Sequence, residues 1–216
     1  MPIISENAFG ALDAILAVRT HAAPAARPST GCSADLPALS RSLDEVLRGR
    51  RSVRRFAAGG LARTELLGVI RHAGTVLASW TGHAPLVPAD FVVLAGTHGV
   101  TGLADGLHRC EFGQLSTMYP RNDDRLAGLR AHYAAAPALL FVCGPLTRAD
   151  SGDYGHRLVG AGAMGHALWL SALSSGLDGT VYGSSAALVT AAAHRLRPGL
   201  RHLFTVAIGR AEGSDE

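Results

Sequence analysis

Charge is what this chain has least of. Asp, Glu, Lys and Arg make up 17% of its 216 residues, against about 25% in an ordinary soluble domain. So sparse a charged surface suits a chain that hides part of it in a partner, and a second copy is the simplest one. Cysteine is also scarce. Cys32, Cys110 and Cys143 are odd in number and far apart, which excludes a disulfide framework or a CxxC metal site and favours a reducing, cytoplasmic setting. Cys143, inside the apolar run PALLFVCG, is expected to be a buried thiol. The ten histidines show no HxxxH or HExxH spacing, so no metal site is expected. GSSAA lacks the flanking pattern of a hydrolase elbow. No GxGxxG follows directly on a strand. GAGAMG, residues 160–165, lies inside a helical run, where small residues allow close packing but not the strand–turn context of a dinucleotide fingerprint.

Membrane and secretory readings fail on similar grounds. The first twenty residues carry Glu6 and Asp13 and no basic n-region, which makes a poor signal peptide. Leu158 to Leu177 contains no Asp, Glu, Lys or Arg and has the length of a membrane span. Yet it holds Gly160, Gly162, Gly165, Gly176 and His166, and it is expected to be a helix buried in a globular core. Formal net charge is +3, and the arginines crowd into one run, Arg48 to Arg55. A single dense cluster suits one anionic ligand, such as a phosphate, better than a nucleic-acid track.

Residues 1–37 read as a short amphipathic helix followed by a Pro, Ala, Ser and Thr-rich linker, ahead of one domain over 38–216. In that domain the pattern predicts a helix from near Pro37 to Gly49 and a second helix within LARTELLGVIRHAGTVLASW. A strand at 90–96 follows, then short strands between 98 and 118, and a polar loop at 119–124. A helix from about Asp123, a buried strand ALLFVCG and a long helix over 157–176 come next. The chain closes with a strand at 179–182, a small helix at 185–193 and a last strand at 201–209. The alternation gives a sheet with helices packed against it, without a regular βαβ repeat.

LRGRRSVRRF resembles the opening signature of the nitroreductase superfamily, whose members hold flavin mononucleotide (FMN) with an Arg-x-Ser-x-(Arg/Lys) segment after the first core helix. The chemistry is sound in its own right. Arginine makes charge-assisted, bidentate bonds to phosphate, and serine adds a hydroxyl donor. Alternate residues of an extended segment share a side, so Arg50, Ser52 and Arg54 are expected to meet one ligand while Val53 and Phe56 anchor the strand. ADGLHRCEFG, YAAAPALLFVCG, DYGHRLVGAGAMGHALWLSALSSGL, GTVYGS and LFTVAIGR are similar, in that order, to segments of the SagB-like, azoline oxidase-type branch. The likeness covers about residues 38 to 210.

The resemblance implies an α+β, nitroreductase-like fold with a mostly antiparallel central sheet flanked by helices and a long buried central helix. It implies FMN as cofactor and a two-fold homodimer with FMN at the subunit interface. Phosphate and ribityl contacts fall on Arg50, Arg51, Ser52 and Arg54, with Arg210 a second phosphate candidate. Val181, Tyr182, Gly183 and Ser184 would line the ring, the Gly183 amide facing N5 or O4. Tyr154 and His156, placed ahead of the long helix, are the candidates for moving a proton beside a flavin.

The chain departs from the pattern at three places. The family's Ser-Gly segment is replaced by Thr81, Gly82 and His83 in ASWTGHAPLVPADF. The lysine of the azoline oxidases' Lys-Tyr pair is Asp153, while Tyr154 remains. The glutamate before Ala-Gly in the long helix is Gly160, and the Gln-Asn pair is His166 and Ala167. The leading expectation is an FMN-dependent oxidoreductase that dehydrogenates a natural-product or modified-peptide intermediate, with a biosynthetic partner protein as a candidate partner. The alternatives are a degenerate, non-catalytic partner or substrate-binding subunit, and a related fold that takes another phosphate ligand. Neither nucleic acid nor a membrane is an expected partner.

Overall fold

The computed structural model describes residues 39–80, 91–111, 114–120, 124–146 and 154–213. The expected helix and linker of 1–37 lie outside these residues, as do Thr81, Gly82, His83 and Asp153.

Six strands form one sheet: β1 (Val92–Thr97), β2 (Gly106–Glu111), β3 (Gln114–Pro120), β4 (Ala138–Pro145), β5 (Asp178–Tyr182) and β6 (Leu200–Gly209). Their order is β3-β2-β1-β4-β6-β5, and every pairing between them is antiparallel. The α+β fold with a central antiparallel sheet is therefore as the sequence implied. The five helices are α1 (Leu43–Gly49), α2 (Arg63–Trp80), α3 (Asp124–His132), α4 (Tyr154–Ser174) and α5 (Ala187–Leu196).

The sheet is covered on both faces, and strand alternation sorts the core. On β4, Ala138, Leu140 and Val142 face a cluster built with α1, α2 and α4. Leu139, Phe141 and Cys143 face a second cluster with Leu129 of α3 and Val189 and Ala192 of α5. Residues 138 to 144 are all buried, which explains why ALLFVCG reads as a continuous apolar run without polar alternation. Cys143 is buried, as expected, and burial pushes its thiol up to about 12.

Two helix starts differ from expectation. α1 begins at Leu43, later than Pro37, because Ser42 and Glu45 form a capping box. The Ser42 amide donates to Glu45 Oε2 at 2.7 Å, and the Glu45 amide donates to Ser42 Oγ at 3.3 Å. α4 begins at Tyr154, so Tyr154 and His156 lie in its first turn and not ahead of it. The helix ends as GL suggested. Gly176 has φ +78°, its amide donates to Leu173 O at 3.1 Å, and the Leu177 amide donates to Ala172 O at 3.0 Å, the two bonds of a Schellman stop. Tyr119 and Pro120 belong to β3 and Asp124 to α3, which corrects the loop expected over 119–124. α4 is well buried from Ala167 to Ser174, apart from Leu170. No helix among the described residues is long and apolar enough to cross a membrane.

Candidate functional site

The arginine run leaves α1 in extended conformation and lies along the sheet's edge strand. Arg50 caps α1 with φ −63° and ψ 129°. The Val53 amide donates to Gly179 O of β5 at 3.0 Å, the Ala57 amide to Arg210 O at 3.0 Å, and Phe56 bridges Ala211. Val53 and Phe56 pack into the second core cluster, the anchoring expected of them. Arg50, Arg51, Ser52, Arg54 and Arg55 are exposed. The chain contains no lysine, so its twenty basic side chains are all arginine, whose planar guanidinium forks suit bidentate bonds to phosphate.

Arg50 stacks its guanidinium 5.6 Å from the Trp169 ring centroid, on the α4 side. Trp169 in turn stands 6.0 Å from the His166 ring. His166 is held below its ordinary value by burial first and by the Arg50 charge second. Arg54 acts instead on Tyr182, whose ring packs into the other cluster 5.4 Å from Tyr133. Burial raises the Tyr182 hydroxyl, and the Arg54 charge opposes that rise. Arg50 is thus placed over Trp169, and the Arg54 charge is felt at Tyr182.

Two hydrogen-bonding groups flanking this segment are buried without a partner: Trp169 Nε1 and the Tyr182 hydroxyl. Buried donors left unpaired are costly. Beyond Tyr182, Gly183, Ser184 and Ser185 are exposed, and a Cβ on Gly183 would meet nothing within 4 Å. Val181 packs against the α4-side cluster. Arginines, a serine hydroxyl, an open glycine amide and two unspent donors form a set that fits the phosphate and hydrogen-bonding edge of FMN.

Arg210 is committed elsewhere. Its guanidinium pairs with Glu65 at 2.9 Å and also donates to Gly60 O. Burial works to raise the Glu65 carboxyl, but the Arg210 hydrogen bond and the Ala62 amide outweigh it and hold it below its usual range. Tyr154 and His156 are exposed at the far end of α4 from Trp169. The twelve residues from Tyr154 to His166 correspond to about 18 Å of helix, so a single chain does not bring them to the arginine run. Cavities among the described residues open elsewhere. One of about 450 Å³ lies between α2, α4 and the start of β1, and one of about 210 Å³ lies between α3 and the β1–β2 turn.

Sequence reading missed His202 and Tyr133, both within the buried structure behind Gly183–Ala186. Tyr133 donates its hydroxyl to Ser184 O at 3.0 Å, and the Ala186 amide donates to His202 Nδ1 at 2.9 Å. Only the placing of a polar ring in the apolar strand run RHLFTVAIG hinted at the second of these.

An antiparallel sheet buried between two helical layers, with a basic segment laid on its edge, defines an α+β protein with a cationic edge. The chain belongs to the nitroreductase family, which matches residues 47–210, and the fold is that of the family's oxidoreductases. Among solved structures it is similar to a protein from Ralstonia eutropha assigned as a nitroreductase. Identity is 20%, coverage is 89% of this chain and 95% of the other, and the TM-score is 0.60. It is also similar to one from Anabaena variabilis, at 19% identity and a TM-score of 0.59, covering 79% of this chain but 38% of that longer one. CLA-ER, an enone reductase of gut-bacterial fatty acid saturation, shares 14% identity over 82% of this chain and 91% of its own, with a TM-score of 0.51. At these identities the likeness is one of fold. No curated protein matches the chain.

Proposed function

We propose that residues 38–216 form an FMN-binding domain and that the protein is an FMN-dependent, cytoplasmic oxidoreductase. The reaction in this reading is that of the azoline oxidase-type branch it resembles in sequence, with a natural-product or modified-peptide intermediate as the molecule dehydrogenated. The observation that carries this reading is the exposed Arg50–Arg54 segment pinned to the edge strand, flanked by the unpartnered Trp169 Nε1 and Tyr182 hydroxyl. Arg50, Arg51, Ser52 and Arg54 would bind the phosphate and ribityl chain. Val181 to Ser184 would lie along the ring, with the Gly183 amide as donor. Arg210 would reach the phosphate only through a donor not spent on Glu65 and Gly60. Bound FMN supplies two-electron redox chemistry, and the protein supplies orientation and hydrogen bonds.

A homodimer belongs to this reading. One chain offers the arginine run and one wall for the ring, while Tyr154 and His156 stand about 18 Å away along α4. Antiparallel apposition of two α4 helices would carry the partner subunit's Tyr154 and His156 toward the first chain's arginine run.

A second reading has a specific observation in its favour. Arg210 is tied up by Glu65, and the proton-moving candidates are remote within the chain. A degenerate, non-catalytic subunit that binds substrate or supports an active partner would have no need of either.

The deciding experiment is the visible spectrum of freshly purified protein, followed by titration with FMN. The oxidoreductase reading expects bound FMN at about one per chain, and Arg50→Ala should weaken its affinity about 10- to 100-fold, the loss of one charge-assisted contact. A colourless protein that takes up no added FMN would sink the reading and leave the degenerate subunit. With flavin bound, Tyr154→Phe should keep the colour and lose turnover. Equal turnover removes Tyr154 from the mechanism.

A further inference from the structure

β5 ends at Tyr182 and α5 begins at Ala187, which leaves Gly183–Ala186 without a strand partner. The N-cap of α5 is Ala186, which has no side chain able to cap, and no side-chain cap bond is made there. Two side chains reach the segment's backbone from behind. Tyr133 donates its hydroxyl to Ser184 O, and His202 Nδ1 accepts the Ala186 amide.

His202 is built for that one acceptor role. It sits on β6 and is 2% exposed. Because Nδ1 accepts from Ala186, the ring proton is on Nε2, which faces Phe204 O at 3.1 Å and Thr205 Oγ1 at 2.8 Å. The ring stands edge-on to Phe141, 5.1 Å between centroids, and to Tyr133 at 6.1 Å. Its own backbone amide donates to Thr190 Oγ1 of α5 at 3.2 Å. Tautomer, tilt and backbone are therefore all fixed, and the fixed ring holds one amide of the exposed segment.

We propose that His202, with Tyr133, is a positioning residue: it sets where the Gly183 amide stands against a flavin ring. The proposal rests on the reading that FMN lies along Val181–Ser184. Strength and direction of an amide hydrogen bond fall steeply with distance and angle. A segment fixed at residues 184 and 186 therefore presents the residue 183 donor in one geometry. The imidazole never touches the cofactor and acts through Ala186.

Two substitutions separate this role from simple core filling. His202→Leu keeps most of the volume and loses the acceptor. In His202→Asn, Oδ1 is as many bonds from Cα as Nδ1 of histidine and can accept the same amide. Amide hydrogen exchange of residues 183–187 in flavin-free protein should speed up about tenfold in His202→Leu, the loss of one net hydrogen bond, and return toward wild type in His202→Asn. In FMN-loaded protein, His202→Leu should shift the flavin absorption bands and midpoint potential, with His202→Asn restoring both. If leucine and asparagine behave alike, or if faster exchange leaves bands and potential unchanged at full loading, the positioning role is overturned. Should His202→Leu fail to fold, Tyr133→Phe frees Ser184 O in the same segment and is read the same way. A wild-type protein that takes up no FMN defeats the functional reading and the flavin half of this proposal. The exchange comparison then still judges whether His202 holds the segment.

Discussion

An imidazole locked between aromatic rings with Nδ1 already accepting a backbone amide has no place for a second proton. Burial drives the His202 value down to about 4 from the ordinary 6.5. The consequence for stability has a definite sign. Below pH 6.5 the unfolded chain takes up a proton that folded His202 refuses, so stability falls as pH drops from 6.5 to about 4 and levels off beneath that. The shift corresponds to a loss on the order of 3 kcal/mol across the window. His108 acts in the same direction. It is fully buried, contacts Thr97 Oγ1 and Ala104 O at 2.9 Å, and is lowered by burial. Urea midpoints measured from pH 7.5 to 4 should therefore fall with acidity. In His202→Asn, which cannot titrate, the fall should be visibly shallower, even from a lower starting stability. An unchanged slope would mean that His202 is not held neutral. The same residue marks where sequence reading stops at this scale. Arg50–Arg54 announced themselves by charge density, and Val53 and Phe56 by their apolar spacing. His202 and Tyr133 matter through partners 16 and 51 positions away in the chain, and no local pattern encodes such a meeting.

At the scale of the element, the glycines of GAGAMG turn out to do unequal work. A Cβ on Gly165 would stand 2.1 Å from Cδ1 of Phe204, so α4 approaches β6 there as only a glycine permits. A Cβ on Gly162 would meet nothing within 4 Å. Gly165→Ala should therefore destabilise by about 1–3 kcal/mol, the cost of overpacking. Gly162→Ala should stabilise by about 0.5–1 kcal/mol through helix propensity alone. Chemical denaturation of the two variants checks the pair, and an equal response would contradict the α4–β6 packing. The small-residue run was legible as close packing, but which glycine is essential depends on a facing ring 39 positions on in the chain. Buried strands such as ALLFVCG were legible because both faces are covered. Element ends were less so. A capping box decides where α1 starts, and the first turn of α4, with its exposed Tyr154, Gly155 and His156, lacks the apolar face that signals a helix. The antiparallel character of the sheet came from the family resemblance, but the order of its strands was not legible, since periodicity says nothing about which strands pair.

For the whole molecule, the most telling feature is where apolar surface remains. Leu43 is 57% exposed, Leu47 45%, Tyr154 49% and Val159 54%, and Leu39 and Leu158 join them. They fall into two patches. Leu39, Leu43 and Leu47 lie on or just before α1, which is tied to the C-terminal end of α4 by the Ser40 and Arg41 amides donating to Ser174 O. Tyr154, Leu158 and Val159 occupy the first turns of α4. The 21 residues of α4 separate the patches by roughly 30 Å. A two-fold axis crossing α4 near its middle would seat each leucine patch on the other copy's Tyr154–Val159 patch, a self-complementary, isologous contact. It would also explain a charged fraction of 17%, and on the proposed FMN reading it would add a second wall beside the arginine run. Leu43→Glu combined with Leu47→Glu should leave far-UV circular dichroism unchanged, because both side chains already face outward. Sedimentation velocity should show the wild type as a dimer and the double variant as a monomer. FMN affinity should fall in parallel, since the partner subunit's α4 would no longer close the site. A monomer that keeps wild-type FMN affinity would place the flavin entirely within one chain, and a wild type that sediments as a monomer would remove the interface itself.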